Sequence, residues 1–494
     1  MGTWIAFIGC SLVALWLGAR ASRSSERGAS SPDFWTAGRG LNGLEVGMSL
    51  SAGFLSISWS CVYAVQLFYW YGLGALWLMT IPWLCALAGI YWLTRRYHSL
   101  DAFSQPEMVG QRFGESARRR VALALAFVFL VWAGAEIYVA ASLLAPQMGA
   151  PRALLIVLIA IVVGGYSVMG GFRAVIDTDK LQYVIVAFYI LAMAWLAQRG
   201  LVAAGVEGES GNAGLGLLVE LPLTGARSGQ PWGAWLSGGT VTIALTFVAY
   251  LPGWLFETDL WLRVQAARDA RAARQGVMFA AANSILFIGV LPAFIGGAAL
   301  VLFPLENGLF PAAIGNEADG IFAALVNLYA PAWLAIAVAV GLVAAAMSTI
   351  DTCTNVMALS VAYDMLRMHE GDAYVATARS RWVTIACLSG ATIFALATES
   401  LWDIFYLSSG VLTTAVAIPV AAVFLPWATT TMVTWSSTAG LTATIGAYFL
   451  ETYGPLTAFE PAWMADSGLG FVLWGVTAAC VGAAGGLAAS RAPQ

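Results

Sequence analysis

Hydrophobic positions run along this chain in long uninterrupted segments that short polar stretches separate. A helix needs about 20 apolar residues to cross a bilayer, whereas a membrane β-strand shows about ten residues of alternating polarity, a pattern not found here. The chain is therefore predicted to be an all-α polytopic membrane protein with about 13 transmembrane helices. We place them at residues 3–19, 42–70, 73–94, 120–145, 152–169, 180–199, 235–255, 275–302, 331–365, 380–397, 401–425, 429–451 and 468–489.

Two of these spans carry residues that weaken a helix. The second span packs small and hydroxyl side chains around Gly53, and the seventh contains Pro252 followed by Gly253. Glycine is unfavourable inside a helix, and proline removes a backbone donor and bends the chain. Ordinary packing of small residues between membrane helices would explain either feature alone. Two breaks five spans apart instead fit a pair of inverted five-helix repeats around a central site.

This spacing predicts the domain organisation. The whole chain, residues 1–494, is expected to form a single transmembrane domain. Its predicted parts are a peripheral N-terminal helix and loop at 1–30, a first inverted repeat at 42–199, a second inverted repeat at 234–425 and peripheral C-terminal helices at 426–494.

The ninth span turns polar halfway along its length. One stripe, at helical spacings of three and four, is formed by Ala345, Ser348, Thr349, Thr352 and Asn355, with Asp351 at its flank. A hydroxyl in a membrane helix usually bonds to the carbonyl four residues earlier, which is the plainer explanation for each residue alone. If the stripe faced lipid, the exposure of its polar side chains to hydrocarbon would destabilise the protein. Facing a broken helix, its hydroxyls and the freed carbonyls would give the several oxygen ligands that a sodium ion needs.

Composition and charge support a membrane protein and indicate its orientation. Hydrophobic residues make up 60% of the chain and charged residues 10%, with a mean hydropathy of +0.79, which excludes a soluble globule. With the N-terminus outside, all 23 Lys and Arg except Arg152, Arg199 and Arg227 fall in cytoplasmic segments, as the positive-inside rule demands. We expect a multi-pass protein of the plasma membrane, the bacterial cytoplasmic membrane, with its C-terminus in the cytoplasm. The net charge of −4 gives no indication of a nucleic-acid partner.

The inventory of reactive residues argues against an enzyme. The six cysteines are far apart, with no C-x-x-C pair, and the two histidines, His98 and His369, fall in predicted cytoplasmic loops. The single lysine, Lys180, belongs to no phosphate-binding loop, and no G-x-S-x-G sequence is present. We therefore predict no catalytic residues.

Four local motifs resemble the sodium:solute symporter family, over about residues 33 to 425. They are FWTAGR at 34–39, similar to F-x-x-A-G-R; GGFRAVIDTDKLQ at 170–182, similar to G-G-x-x-A-V-x-x-T-D-x-x-Q; RVQAARD at 263–269, similar to Q-R-x-x-A-A-K-D with Leu262 in place of the glutamine; and AAMST at 345–349, similar to A-A-x-[ST]-[ST]. The resemblance implies a leucine-transporter-type core of five plus five helices, with one extra N-terminal and two extra C-terminal helices. It also implies sodium-driven alternating access.

The resemblance further implies where cations bind. The shared sodium site would use the carbonyls of Ala52, Leu55 and Ala345 and the hydroxyls of Ser348 and Thr349. A second cation or proton site would involve Asp179, Asp351 and Thr352. Asp351 departs from members that have serine there. Two carboxylates at one site repel, so that one would hold a proton unless a cation lies between them. Na⁺ is thus the expected coupling ion, and a role of H⁺ as a coupling ion stays open.

The solute site is less directly indicated. Sugar-carrying members have N-x-S-x-E-Q in the first core helix, whereas this chain has FLSISW at 54–59, without the acid and amide that would bind sugar hydroxyls. The predicted solute-binding residues are Ser56, Ser58, Trp59, Gln66, Glu136, Tyr250 and Trp254. An acid within the membrane is a functional candidate, and an aromatic cage with an acid suits an ammonium group. Interfacial tryptophans and a glutamate paired elsewhere would explain the same residues.

We accordingly expect sodium-coupled symport of a small polar or zwitterionic organic solute into the cell, an amino acid or amine rather than a sugar. The alternatives are a proton-coupled transporter of the same architecture and a transporter-like sensory membrane module, which would continue into a cytoplasmic output domain beyond Gln494. The expected partners are the solute, sodium and the lipid bilayer, without nucleic acid, and the chain is expected to function as a monomer.

Overall fold

The computed structural model describes residues 2–25, 39–100, 102, 104–206, 218, 221–315, 318–368, 373–398, 402–465 and 467–491. Within these ranges the regular secondary structure is helical throughout. Ten helices in them are long and apolar enough to cross a membrane, and one bent pair makes an eleventh. The prediction of an all-α polytopic membrane protein is confirmed. Of the motifs, residues 34–38 lie outside the described residues, as does His369.

Every predicted span corresponds to a helix in the described ranges, and we number these helices as spans 1 to 13. They are Gly2–Arg20, the bent pair Gly43–Phe54 with Ile57–Gly74, Leu76–His98, Glu115–Met148, Arg152–Met169, Val175–Ala203, Thr240–Ala266, Ala270–Leu302, Ala332–Met365, Ala378–Ala397, Tyr406–Ala422, Thr430–Tyr453 and Gly470–Arg491. Span 11 is shorter than the others, and span 12 is not among the strongly apolar helices. Two short helices that the sequence did not predict, Gln105–Phe113 and Ile321–Tyr329, lie between spans.

Span 2 is broken where the sequence predicted it. Its first half ends at Phe54 and its second half begins at Ile57, with an angle of 69° between them. Leu55 and Ser56 have non-helical backbone angles, and the Ser56 hydroxyl accepts the Trp59 N–H at 2.9 Å as an N-cap. Because Trp59 N–H is the usual partner of the Leu55 carbonyl, this cap leaves that carbonyl free for another ligand.

Span 7 is interrupted at two places. One helix ends at Ala249, a short helix runs over Leu251–Leu255, and a third runs over Thr258–Ala266. The Ala249 carbonyl, freed at the first interruption, accepts the Thr413 hydroxyl of span 11. The predicted loop after residue 255 is therefore wrong, because the chain re-enters a helix that is buried along its whole length.

The helical stretch Arg152–Ala203 contains spans 5 and 6, both of which pack against span 9. Spans 4 and 9 form the centre, with 72% of their most apolar stretch buried, against 28% in spans 1 and 13. Span 10, predicted to belong to the second repeat, is also 28% buried, so burial does not separate peripheral helices from the repeats. The peripheral position of the helices at both ends of the chain stays a prediction. The repeat boundaries at 42–199 and 234–425 stay predictions.

The RVQAARD motif joins spans 7 and 8. Its last residue, Asp269, is the N-cap of span 8, and its carboxylate accepts the Ala272 N–H at 2.7 Å. This hydrogen bond lowers the pKa of Asp269. The motif thus fixes the start of span 8 while its first residue, Arg263, points into the bundle.

Candidate ion and solute site

A cavity lies where the broken spans 2 and 7 meet spans 3, 4 and 9. It is lined by Gly53, Phe54, Ser56, Ser58, Trp59, Trp83, Trp132, Glu136, Trp254, Glu257 and Thr349. Five of the seven predicted solute-binding residues are in this lining, and so is one predicted sodium ligand, Thr349. The structure therefore brings part of the expected ion site and most of the expected solute site to one place.

Two predicted solute-binding residues do not line the cavity. Gln66 is fully buried in the second half of span 2. Tyr250 stacks on Trp254, with ring centroids 5.7 Å apart and planes at 16°, and thus supports the cavity wall from behind. Tyr250 also lies against Tyr406, whose hydroxyl is 2.8 Å from that of Tyr63. These tyrosines form a second layer that joins spans 2, 7 and 11.

Tryptophans make up much of the cavity wall. Trp59, Trp83 and Trp254 meet edge to face in a triangle, with centroid distances of 4.9, 5.8 and 6.0 Å. The indole N–H of Trp83 donates to Ser284 at 3.1 Å, and that of Trp132 donates to Ser408 at 3.0 Å. With those polar groups engaged outside the cavity, both side chains offer it apolar ring surface. Trp83 and Trp132 were missed because nothing in the sequence distinguishes them among 21 tryptophans.

Glu136 of span 4 meets the start of the second half of span 2. The Ser58 N–H donates to its Oε1 at 3.2 Å, and the Ser58 hydroxyl donates to the same oxygen. A helix N-terminus has unpaired N–H groups and a partial positive charge, which this carboxylate compensates. Its other oxygen, Oε2, has no hydrogen-bond partner in the described parts of the chain, although the residue is only 2% exposed.

The five predicted sodium ligands are all buried near the break. Ala52, Leu55, Ala345 and Ser348 are fully buried, and Thr349 is 8% exposed. The Thr349 hydroxyl is 3.4 Å from the Ala345 carbonyl, and the Ser348 hydroxyl donates to Asp179 Oδ1 at 3.0 Å. Thr349 lines the cavity together with Ser56 of the unwound stretch of span 2, and a neutral oxygen beside unwound backbone is a suitable environment for a sodium ion.

Arg263 was predicted to lie in a loop between spans 7 and 8, but it lies in the helix Thr258–Ala266 and its side chain is fully buried. Its guanidinium Nη2 donates to Asp179 at 3.1 Å and to Thr352 at 2.8 Å, and Nη1 lies 3.3 Å from Asp259. Its Nε donates to Ser49 at 2.8 Å, and the Ser49 hydroxyl donates to Asp179. A protein cation therefore bonds directly to two of the three residues expected to form the second cation site.

Asp351, the third residue of that expected site, belongs to the same buried network. Its Oδ2 accepts the Tyr166 hydroxyl at 2.7 Å, and its Oδ1 is 3.5 Å from the Thr352 hydroxyl. Tyr166 lies on span 5 and Asp179 on span 6, so that both spans are tied to one turn of span 9. Tyr166 was missed because no sequence pattern links it to the polar stripe.

Comparison with known proteins agrees with this geometry. The family model described as "Sodium:solute symporter family" matches residues 34–440. The sodium/iodide cotransporter of Homo sapiens is 30% identical over 200 residues, which cover 39% of this chain and 29% of that protein. The chain thus aligns with less than a third of this curated relative.

Two solved structures share the fold. One is the substrate-bound, outward-open state of a Na⁺-coupled sialic acid symporter, with a TM-score of 0.73, 16% identity and coverage of 97% of this chain and 98% of that chain. The other is Mhp1, a nucleobase-cation-symport-1 family transporter in a closed conformation with bromovinylhydantoin bound, with a TM-score of 0.57, 14% identity and coverage of 93% and 96%. The predicted leucine-transporter-type fold is confirmed. With most of its length matched by the family model, the chain belongs to the sodium:solute symporter family, whose coupling ion is sodium and whose members are transporters rather than enzymes.

Proposed function

We propose that the chain is a secondary active transporter that carries a small polar or zwitterionic organic solute into the cell together with sodium, an amino acid or amine rather than a sugar. The observation that carries this proposal is the position of Thr349, a proposed sodium ligand, on the cavity that Glu136 and Trp59 also line. An ion bound there would order the break in span 2, which is also a wall of the solute cavity. Ion binding and solute binding would then favour the same conformation.

The proposed sodium ligands are the carbonyls of Ala52, Leu55 and Ala345 and the hydroxyls of Ser348 and Thr349. The Leu55 carbonyl, which the Ser56 cap frees from its helical partner, supports this choice. The ligands come from spans 2 and 9, so that sodium would hold these two spans together.

We propose a single sodium site. At Asp179 and Thr352 the Arg263 guanidinium already supplies a positive charge, which would oppose a second cation. A proton-coupled transporter of the same architecture is the second candidate. The observation that favours it is the burial of Asp351, whose nearest hydrogen-bond donor is the uncharged Tyr166 hydroxyl.

The proposed setting is the plasma membrane, the cytoplasmic membrane of a bacterium, with the N-terminus outside, the C-terminus in the cytoplasm and the monomer as the working unit. The distribution of Lys and Arg supports this orientation.

Thermal stability of the detergent-purified protein in sodium chloride against potassium chloride tests the ion site. A ligand that binds only the folded state stabilises it by mass action. We expect a sodium-specific rise in Tm that Ser348→Ala/Thr349→Ala abolishes. Thr354→Ala is the matched control, because Thr354 is an equally buried hydroxyl of span 9 that donates to its own helix at Ile350.

Two outcomes would contradict the proposal. If sodium stabilises the double variant as much as the wild type, the ion binds elsewhere. If sodium has no effect in either protein while lower pH stabilises the wild type, proton coupling replaces sodium coupling, and Asp351 becomes the residue to study.

A further inference from the structure

We infer that the solute is an organic cation without a carboxylate, a quaternary ammonium or a protonated amine. This inference rests on the proposed function, because it concerns the same cavity. It narrows the solute class, since a zwitterionic amino acid would be excluded.

The ionisable side chains in the described lining of the cavity are both acids. Glu136 and Glu257 are in its lining, and no lysine, arginine or histidine is among the described lining residues. Arg263 lies behind Gly53, where an added Cβ would be 3.1 Å from its Nη2. That guanidinium is fully buried, and its donors are engaged by Asp179, Asp259 and neighbouring hydroxyls. A solute carboxylate would therefore find no cationic side chain in the described lining of the cavity.

The half-helix N-terminus at the break is not available to an anion either. Such N-termini attract carboxylates and other anions in broken transporter helices. Here the Ser58 N–H and hydroxyl already donate to Glu136, and the Trp59 N–H donates to Ser56. A solute carboxylate would have to displace Glu136 or lie next to it, where the repulsion is strong because the surroundings are apolar.

An organic cation would pair with the Glu136 carboxylate and with the tryptophan rings that line the cavity. Glu136 Oε2 is buried without a hydrogen-bond partner in the described residues, and an unpaired buried carboxylate oxygen is costly. Trp59, Trp83, Trp132 and Trp254 surround the same space with ring surface. Tryptophan is the strongest cation–π partner among the side chains. An ammonium group can pair with the carboxylate and rest against these rings at once.

The test uses three probes of similar size on the purified protein in sodium chloride. Choline is the cation, 3,3-dimethylbutan-1-ol is its uncharged isostere, and glycine betaine carries the same head group with a carboxylate. Binding is followed by Tm and by tryptophan fluorescence. We expect choline to bind at least tenfold more tightly than the other two.

Glu136→Gln removes the negative charge but keeps a hydrogen-bond acceptor, because the glutamine oxygen can still accept the Ser58 N–H. We expect this variant to lose the preference for choline over the uncharged isostere while it keeps its sodium-dependent Tm. Glu306→Gln changes an acid in an exposed outer loop. It should leave the preference for choline and the sodium-dependent rise in Tm unchanged. Trp132→Phe should weaken the binding of choline several-fold. Trp16→Phe, on the exposed face of span 1, should leave choline binding unchanged.

The inference and the proposed function fail in different ways. If sodium does not raise the Tm of the wild-type protein in the absence of solute, the proposed function is overturned. A sodium effect that persists while betaine or an amino acid binds more tightly than choline would overturn only the inference. The same holds if sodium stabilises the protein and no organic cation binds.

Discussion

At the scale of single residues, Arg263 is a buried cation that donates to Asp179, Asp259, Ser49 and Thr352. A buried charge whose partner is removed costs about 3–5 kcal/mol. Arg263→Gln should therefore lower the free energy of unfolding strongly, because it strands the Asp179 carboxylate. Arg263→Gln/Asp179→Asn should recover part of that loss, because it removes both charges. Unfolding of the four proteins of this cycle, monitored by denaturant or heat, measures the coupling.

Arg268→Gln is the matched control for that cycle. Arg268 follows on the same segment, but its side chain is 62% exposed and lies 3.5 Å from Asp269. Exposed pairs contribute about 0–1 kcal/mol, so that little change is expected. If the double variant is as unstable as the sum of its single variants, Arg263 and Asp179 do not act as a pair.

Residue chemistry decided how much of the site the sequence could predict. Glu136 was predicted because an acid inside a membrane helix is costly and therefore a functional candidate. Thr349 was predicted because it is one of four polar side chains that share one face of span 9, with Asp351 at its flank. Trp83 carries no such anomaly, since tryptophan is common in this chain and suits both lipid and core. Arg263 was misplaced because the sequence TDLWLRVQA has the polarity of a loop, and only tertiary packing makes it a buried helix.

At the scale of elements, the break in span 2 depends on close packing at Gly53. A Cβ there would approach the Arg263 guanidinium at 3.1–3.2 Å, and Arg263 is bonded on several sides, so that it cannot easily move. Gly53→Ala should destabilise the protein by about 1–3 kcal/mol, as overpacking does, and should reduce the sodium-dependent rise in Tm. Gly9→Ala in span 1, where a Cβ meets nothing within 4 Å, should be neutral. If the sodium-dependent rise in Tm of Gly53→Ala equals that of the wild type, the break in span 2 does not contribute to the ion site.

The start of span 4 and the end of span 9 are joined by a buried ion pair. Arg118 lies 3.0 Å from Asp364, and the Ser104 hydroxyl, at the start of the short helix Gln105–Phe113, donates to the same carboxylate at 2.6 Å. Arg118→Gln should cost about 3–5 kcal/mol. The neighbouring Arg119→Gln should cost less than about 1 kcal/mol, because that side chain is 60% exposed. Equal Tm values for the two variants would show that this pair does not hold the spans together.

At the scale of the whole molecule, the order of the spans followed from the hydrophobic pattern alone, because bilayer thickness fixes the length of each helix. Of about 13 predicted spans, ten helices and one bent pair in the described residues are long and apolar enough to cross a membrane. The pattern could not show which helices are central. Burial of spans 4 and 9 depends on which faces meet, and a helix that is apolar all round gives no signal of that face. The resemblance to a known family supplied the arrangement that periodicity left open.

The arrangement also predicts a reciprocal effect between the two ligands. Ion and solute would share the break in span 2, because Thr349, a proposed sodium ligand, and Glu136, a proposed solute-binding residue, line one cavity. Linkage requires that sodium change the solute affinity by the same factor by which the solute changes the sodium affinity. We expect a factor of about 5–150, the usual range for coupled sites.

Two titrations by isothermal calorimetry measure that factor. One determines the choline Kd with and without saturating sodium, and the other determines the sodium Kd with and without saturating choline, with potassium keeping the ionic strength constant. Two equal ratios well above one would support a shared conformational change, since two positive charges in one cavity would otherwise weaken each other's binding. Thr349→Ala should bring both ratios towards one, whereas Thr354→Ala should not, because its hydroxyl bonds within span 9. Ratios of one in the wild type would mean that the two ligands bind independently, and span 2 would then not couple them.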